Sequence, residues 1–215
     1  METPPGTIIL LNGTATAGKS SLATAVQETF AEPYLLLGLD TFVIHVSPAR
    51  YRTRGVNAEE GVSLIPVVGK QQPETEFRFG PFGHALISAM HYAIAAVAAS
   101  GHNVVVDYCL QDTAWIDEWL ALWARLPVVL VHVYCPLDVL EERAAARGDR
   151  IGAARGVPRW QFLRGLLHCP YDLTIDTSQT NPTEGALRIQ HFLEAGSHAM
   201  AFRSLITARS RQPSI

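Results

Sequence analysis

The chain has 215 residues, 48% of them hydrophobic and 17% charged, which is enough apolar matter for one packed α/β domain and too much for large-scale disorder. A net charge of −3 argues against a nucleic-acid partner held by phosphate neutralisation. The three cysteines, Cys109, Cys135 and Cys169, are odd in number and widely spaced, which suits free thiols in a reducing cytoplasm better than disulfides or a zinc site.

Met1 to Gly6 has no basic region followed by an apolar run, so no secretory signal is expected. Ile8 to Leu11 is a continuous apolar run with the β-branched character of a buried strand, and Ser21 to Phe30 has the periodicity of a helix. Between them Gly13, Gly18, Lys19 and Ser20 fall at the spacing G-x-x-x-x-G-K-S of a phosphate-binding loop. In that setting the backbone N–H groups of Thr14, Ala15, Thr16, Ala17 and Gly18, with Ser21 at the helix start, face an anion. Lys19 neutralises terminal phosphates and the Ser20 hydroxyl is placed to ligate Mg2+. Lys19 is one of only two lysines, the other being Lys70.

Tyr34 to Gly38 reads as a second strand, leading into Asp40. From Ser47 to Pro81 periodicity is lost among prolines and glycines. Its aromatics, Tyr51, Phe77 and Phe79, followed by Phe82, favour an ordered insertion, residues 47–81, over a linker. Phe82 to Ser100 is helical, closed by Gly101. Its most apolar part, Ala85 to Ser100, carries His91 and reads as too short to span a bilayer, so no membrane partner is expected and the predicted location is cytoplasmic. Asn103 to Val106 is a third strand ending in Asp107, and Thr113 to Arg125 a helix with a packing stripe of Trp115, Trp119 and Trp123. Val128 to Tyr134 is the fourth strand, Pro136 to Arg147 a helix, residues 148–157 a glycine-bearing loop, Arg159 to Leu167 a helix, Leu173 to Ile175 a fifth strand, and Pro182 to Leu193 a last helix. This alternation predicts an α/β domain over residues 1–195, a five-stranded parallel sheet with helices on both faces. Residues 196–215 form a basic tail with Arg203, Arg209 and Arg211 and no acid, expected to hold a turn or two before disorder.

An aspartate at the carboxyl end of a parallel strand points into the ligand crevice, so Asp40 is the candidate general base for a phosphoryl acceptor, although helix capping is open to it too. Asp107 resembles the acid that closes a Walker B strand and steadies magnesium. Contact with the acceptor and helix capping stay open for it. Arg143, Arg147, Arg150, Arg155, Arg159 and Arg164 crowd one helix, loop and helix without a lysine. Half are expected on a solvated face paired with Glu141, Glu142 and Asp149. Arg147 and Arg150 are the candidate lid pair that clamps phosphate oxygens. His84 and His91 share a helical face, but packing or pocket-lining is the expected role rather than metal binding. Cys109 and Cys135 read as buried small hydrophobes.

Taken together, Ile9-Leu10-Leu11-Asn12-Gly13 running into Ala17-Gly18-Lys19-Ser20, then Leu37-Gly38-Leu39-Asp40-Thr41, Gly61-Val62-Ser63, Gly80-Pro81-Phe82, Val105-Val106-Asp107, Ala146-Arg147-Gly148-Asp149-Arg150 and Tyr171-Asp172-Leu173 resemble the chloramphenicol phosphotransferase-like family of P-loop kinases. The resemblance covers Thr7 to about Leu193. It implies the strand order of nucleotide monophosphate kinases, ATP as phosphoryl donor, an antibiotic hydroxyl as acceptor, Asp40 as catalytic aspartate and Arg147 and Arg150 as lid arginines. Where that family often has two adjacent acids, this chain has Asp107-Tyr108. The expected activity is ATP-dependent O-phosphorylation of a small-molecule alcohol. Kinases of a metabolite or nucleotide, and a non-catalytic ATP-dependent switch, remain open, as does homo-oligomerisation. A nucleotide acceptor would call on Arg50, Arg52 and Arg54, and an uncharged aromatic or sugar alcohol on Tyr51, Phe77, Phe79 and Tyr92.

Overall fold

The computed structural model describes residues 3–147, 155–164, 169–196 and 199–210. Its strands are β1 (Ile8–Asn12), β2 (Tyr34–Gly38), β3 (Val62–Pro66), β4 (Thr75–Phe79), β5 (Asn103–Tyr108), β6 (Val128–Tyr134) and β7 (Leu173–Asp176). Its α-helices are α1 (Lys19–Thr29), α2 (Pro81–Ala99), α3 (Ala114–Trp123), α4 (Leu137–Arg147), α5 (Val157–Arg164), α6 (Pro182–Glu194) and α7 (Ala201–Ser210).

The five apolar runs pair in parallel in the order β2-β5-β1-β6-β7, with β1 in the middle. All five residues of β1 are buried, because helices cover both faces of the sheet. Ile8 and Leu10 face α2, α3 and α7, whereas Ile9 and Leu11 face α1, α4 and α6. Each branched side chain of this kind contributes roughly 1.5–3 kcal/mol by leaving water. The parallel arrangement brings the carboxyl ends of β1, β2 and β5 to one edge, with Leu11 opposite Asp107 and Gly38 opposite Asp107 on its other side. Ligands bind along such an edge.

Several boundaries and elements differ from the sequence reading. The insertion contains a regular hairpin: β3 and β4 pair antiparallel, with Leu64 opposite Phe77. In β4, Glu76 and Arg78 point outward and pair at 2.7 Å while Phe79 packs edge-on against Trp115. The period-two alternation of Thr75-Glu76-Phe77-Arg78-Phe79 encodes this strand, and the surrounding prolines and glycines mask it. Residues Thr41–Val46 form a π-helical turn. Asp40 leads into it in helical geometry without capping it, which removes the capping role from that residue.

Length does not exclude α2 as a span. It has 19 residues and a mean hydropathy of 1.4 over its most apolar window. Packing explains it instead: Leu86, Ile87, Met90 and Ile94 are buried in the core beside the sheet. Trp119 and Trp123 stack at 5.7 Å and, with Trp115, are buried as the expected packing stripe. The tail was expected to hold only a turn or two, yet α7 is a ten-residue helix whose Ala201 and Phe202 enter the core. It is tied on by Asp172, whose Oδ1 accepts from the N–H groups of Met200 and Ala201 at 2.8 and 2.9 Å.

Candidate active site at the phosphate loop

β1 ends at Asn12, and the chain then turns through the loop into α1. Gly18 adopts φ 94° and Thr16 φ 62°, left-handed conformations that fold the loop back on itself. Glycine relieves the strain at the first position. At the second, bonding compensates for it, since the Thr16 hydroxyl donates to the carbonyl of Ala15 at 2.6 Å and lies 2.9 Å from that of Leu140 in α4. The Thr177 hydroxyl braces the far side by donating to the Ala17 carbonyl at 2.6 Å. The loop is therefore held from two directions. Gly13 is anchored by its N–H, which donates to the Tyr108 carbonyl at 3.4 Å.

Lys19 is nearly buried, donates from Nζ to the Thr14 carbonyl at 2.8 Å, and lies 3.9 Å from Asp107. Ser20 donates from its hydroxyl to Asp107 Oδ2 at 2.5 Å. Ser20 and Asp107 thus present adjacent oxygens at the start of α1, the donor type a hard divalent cation takes. Among the described residues no group of three His, Cys, Asp or Glu side chains is assembled for a metal, so phosphate oxygens and water would complete any such shell.

The approach of β2 to β5 places Asp40. A Cβ on Gly38 would lie 2.5 Å from the Asp107 carbonyl oxygen, so glycine there lets the two strand ends meet. Asp40, two residues on, comes into the same cavity as Asp107. Burial, and then the Asp107 carboxylate, push the Asp40 carboxyl above its ordinary range, with Lys19 and His45 opposing the shift. The side chain remains open to the cleft, so it can meet a ligand.

A cavity of about 310 Å³ joins these groups: Ala15, Thr16, Lys19, Ser20, Ser21, Asp40, Asp107 and Arg147 line it together with an apolar wall of Leu39, Val43, Phe77, Cys109 and Val157. A second cavity of about 280 Å³ lies on the other side of the α1 N-terminus, lined by Gly18, Ser21, Arg143, Arg147, Thr177 and Asn181 among others. Ser21 and Arg147 border both. Arg150 and most of the candidate lid lie outside the described residues.

The other predicted residues separate into those with a place here and those without. Arg143 donates to the hydroxyl and carbonyl oxygens of Thr177 at 2.9 and 2.7 Å, Arg159 forks onto Glu141 at 2.7 and 2.8 Å, and Arg164 covers the Trp160 ring. These contacts are structural, and Arg143 in addition lines the second cavity. None of Arg50, Arg52 and Arg54 lines the cavity. Arg52 donates twice to the Ser47 carbonyl, at 3.0 and 2.7 Å, and Arg50 lies over Tyr51. Of the aromatics expected around an acceptor, only Phe77 reaches the cavity. Tyr51 stacks on Phe82, Phe79 is buried against Trp115, and Tyr92 is 60% exposed on the outer side of α2.

His91 is fully buried and bonded to Glu118 through Nδ1 and to Tyr108 and Trp119 through Nε2, a packing role. Cys109 and Cys135 are buried as expected, and burial pushes the Cys109 thiol up to about 11 although it borders the cavity. Sequence reasoning missed Gln111 and Gln161, both on the cavity wall. A single glutamine has no spacing signature, so nothing in the sequence could have flagged either.

Residues 6–194 match the family described as chloramphenicol phosphotransferase-like protein. The chain is 29% identical over 203 residues to the protein named "Putative O-phosphotransferase" of Mycobacterium tuberculosis H37Rv, covering 94% of this chain and 88% of that one. Among solved structures, a sugar kinase from Janibacter sp. HTCC2649 in unliganded form superposes with a TM-score of 0.59 at 17% identity, covering 88% of this chain and 95% of that one. The Mycobacterium tuberculosis APS kinase in complex with AMPPNP and APS gives a TM-score of 0.57 at 18% identity, covering 89% of this chain and 99% of that one. At such identities the structural likeness speaks for the P-loop kinase fold.

Proposed function

We propose that this chain, which belongs to the chloramphenicol phosphotransferase-like family, transfers the terminal phosphoryl group of ATP to a hydroxyl of an uncharged small molecule, with Asp40 as general base. The observation that carries this reading is the presence of Asp40, Lys19 and Arg147 in one cavity at the mouth of the phosphate loop. Phosphoryl transfer asks mainly for positioning and for charge where negative charge spreads, and this cavity offers both.

The loop N–H groups and Lys19 hold the β- and γ-phosphates, and the nucleoside occupies the second cavity, where Arg143, Thr177 and Asn181 surround it. Mg2+, held by the Ser20 hydroxyl and Asp107, would supply further charge neutralisation at the phosphates. Arg147, bordering both cavities, lies over the transferred group. Asp40 accepts the acceptor's hydroxyl proton as the new P–O bond forms, and its raised pKa makes it a better match for that proton than an ordinary carboxylate. The apolar wall of Leu39, Val43, Phe77 and Val157 excludes water and takes an apolar or aromatic acceptor body, which favours an antibiotic-like alcohol. A nucleotide acceptor is disfavoured because the arginines of residues 47–81 are spent on Ser47 and Tyr51 or lie off the cavity.

The test is ADP release from ATP and Mg2+ across a panel of hydroxylated antibiotics, sugars, nucleosides and metabolites, with the product confirmed by mass. Stimulation by an uncharged alcohol that disappears in Asp40→Asn supports the reading. Stimulation by a nucleoside monophosphate alone would replace the acceptor class, and silence with ATP still bound would point to a nucleotide-dependent switch.

A further inference from the structure

We propose that Gln161 positions the transferred phosphoryl group, relaying one phosphate-loop N–H through its own side-chain amide. This rests on the ATP-dependent reading above.

The Ala15 N–H does not point freely into the loop, because it donates to Gln161 Oε1 at 2.7 Å. An N–H donor fixes the orientation of a glutamine amide, so the oxygen is the arm on Ala15 and the NH2 is the other arm. That NH2 has no partner among the described residues, and Gln161 borders the cavity shared by Lys19, Asp40 and Arg147. Ala15 does not line the second cavity, which the proposed reading gives to the nucleoside, but lines this one, which Asp40 shares. A group delivered there meets the γ-phosphate rather than the phosphates ADP retains. One backbone donor is thereby exchanged for a side-chain donor on the wall of the cavity that Asp40 also lines.

The helix that carries Gln161 is tightly fixed. Val157 is fully buried and Gln161 is 6% exposed. The Gly156 and Arg155 carbonyls accept from the Thr75 N–H and hydroxyl at 3.1 and 2.7 Å, tying the start of α5 to β4. Arg159 on Glu141 ties it to α4. An amide held this firmly donates without having to be ordered by substrate, which is what preorganised charge stabilisation requires.

Two substitutions separate a phosphate ligand from a mere brace. Gln161→Leu keeps volume and removes both arms, and Gln161→Glu keeps an acceptor for the Ala15 N–H but loses the donor. Calorimetric titration of full-length protein with ADP and with ATP, each with Mg2+, gives the decisive ratio. In Gln161→Leu the affinity for ATP falls about tenfold or more, the loss expected for a charge-assisted hydrogen bond, while that for ADP stays within about twofold. If that variant does not fold, Gln161→Glu is expected to show the same selective loss. Equal losses for both nucleotides, or no loss, overturn the role and leave the kinase reading intact. Tighter ATP binding overturns it differently, by making Gln161 a plug that phosphate must displace. Failure of the parent protein to bind either nucleotide removes the kinase reading itself, and this inference with it.

Discussion

Asn12, the residue before the phosphate loop, is fully buried, and both arms of its amide are used across the sheet edge. Oδ1 accepts from the Leu110 N–H at 2.9 Å and Nδ2 donates to the Tyr171 hydroxyl at 2.7 Å. Asn12→Leu preserves the volume and strands the Leu110 N–H in an apolar interior, at a cost of about 1–3 kcal/mol. Loss of the bond to Tyr171 adds about 1 kcal/mol, so the total is roughly 2–4 kcal/mol. For a chain of this size that corresponds to a fall in Tm of roughly 5–15 °C. Urea unfolding followed by circular dichroism measures the first figure and calorimetry the second. Leu110 lies between Cys109 and Gln111, which both line the cavity, so the acceptor KM is expected to rise in the same variant. Tyr171→Phe keeps the Leu110 bond but leaves the buried Asn12 Nδ2 without its acceptor, and should cost about 1–3 kcal/mol. A loss under about 1 kcal/mol in Asn12→Leu would refute the claim that this amide clamps the loop to the cavity wall.

Asp40→Asn is expected to lower the transfer rate by about 10²–10⁴ while stabilising the fold. Its folded carboxyl titrates above the unfolded one, so the parent loses stability as pH rises from the unfolded pKa to the folded one, and the Asn variant, which cannot ionise, keeps it. The stability difference between the two should therefore grow with rising pH through that window and then level off, as thermal melts across pH would record. Arg147→Ala should reduce kcat by about 10²–10³, whereas Arg52→Ala should cost about 1–2 kcal/mol of stability and leave the KM for ATP unchanged. Burial holds His91 below its usual pKa of 6.5 despite the opposing Glu118, so the unfolded chain takes up this proton first. The Tm should accordingly fall as pH drops below about 6.5, and His91→Gln should flatten that part of the profile.

The nucleotide half of the site was legible because its chemistry lives in the backbone. A loop that wraps a phosphate needs Gly18 at φ 94° and a strand and helix on either side, and such requirements leave a fixed spacing in the sequence. Asp40 and Asp107 were legible for a related reason: a strand of apolar residues announces its own end. The acceptor half left no such trace. Phe77 and Phe79 share one face of a short strand, yet Phe77 borders the cavity while Phe79, two residues on, packs against Trp115, a difference of position along the strand that the alternation does not encode. Tyr92 read as a pocket residue because aromatic type carries no information about which face of α2 it occupies. The arginine cluster shows the same ambiguity, since Arg143, Arg159 and Arg164 are distinguished from Arg147 only by having Thr177, Glu141 and Trp160 within reach.

This division has an energetic consequence for substrate choice. The acceptor wall is assembled from segments far apart in the chain, Val43 from the π-helical turn, Phe77 from β4, Gln111 beyond β5 and Val157 from α5, and none of these side chains carries the loop's N–H groups. A substitution there changes the fit of an apolar acceptor by about 1–3 kcal/mol per methylene without touching the machinery that holds ATP. Charge is a different matter. Placing a phosphate-bearing acceptor beside Asp40 and Asp107 would require a cation beyond Lys19 and Arg147, which none of the other described lining residues supplies, and freeing Arg52 to supply it would break two hydrogen bonds to Ser47. On the proposed reading, one uncharged alcohol can replace another by small steps, whereas a nucleotide acceptor would call for a cation that the described residues of the insertion hold elsewhere.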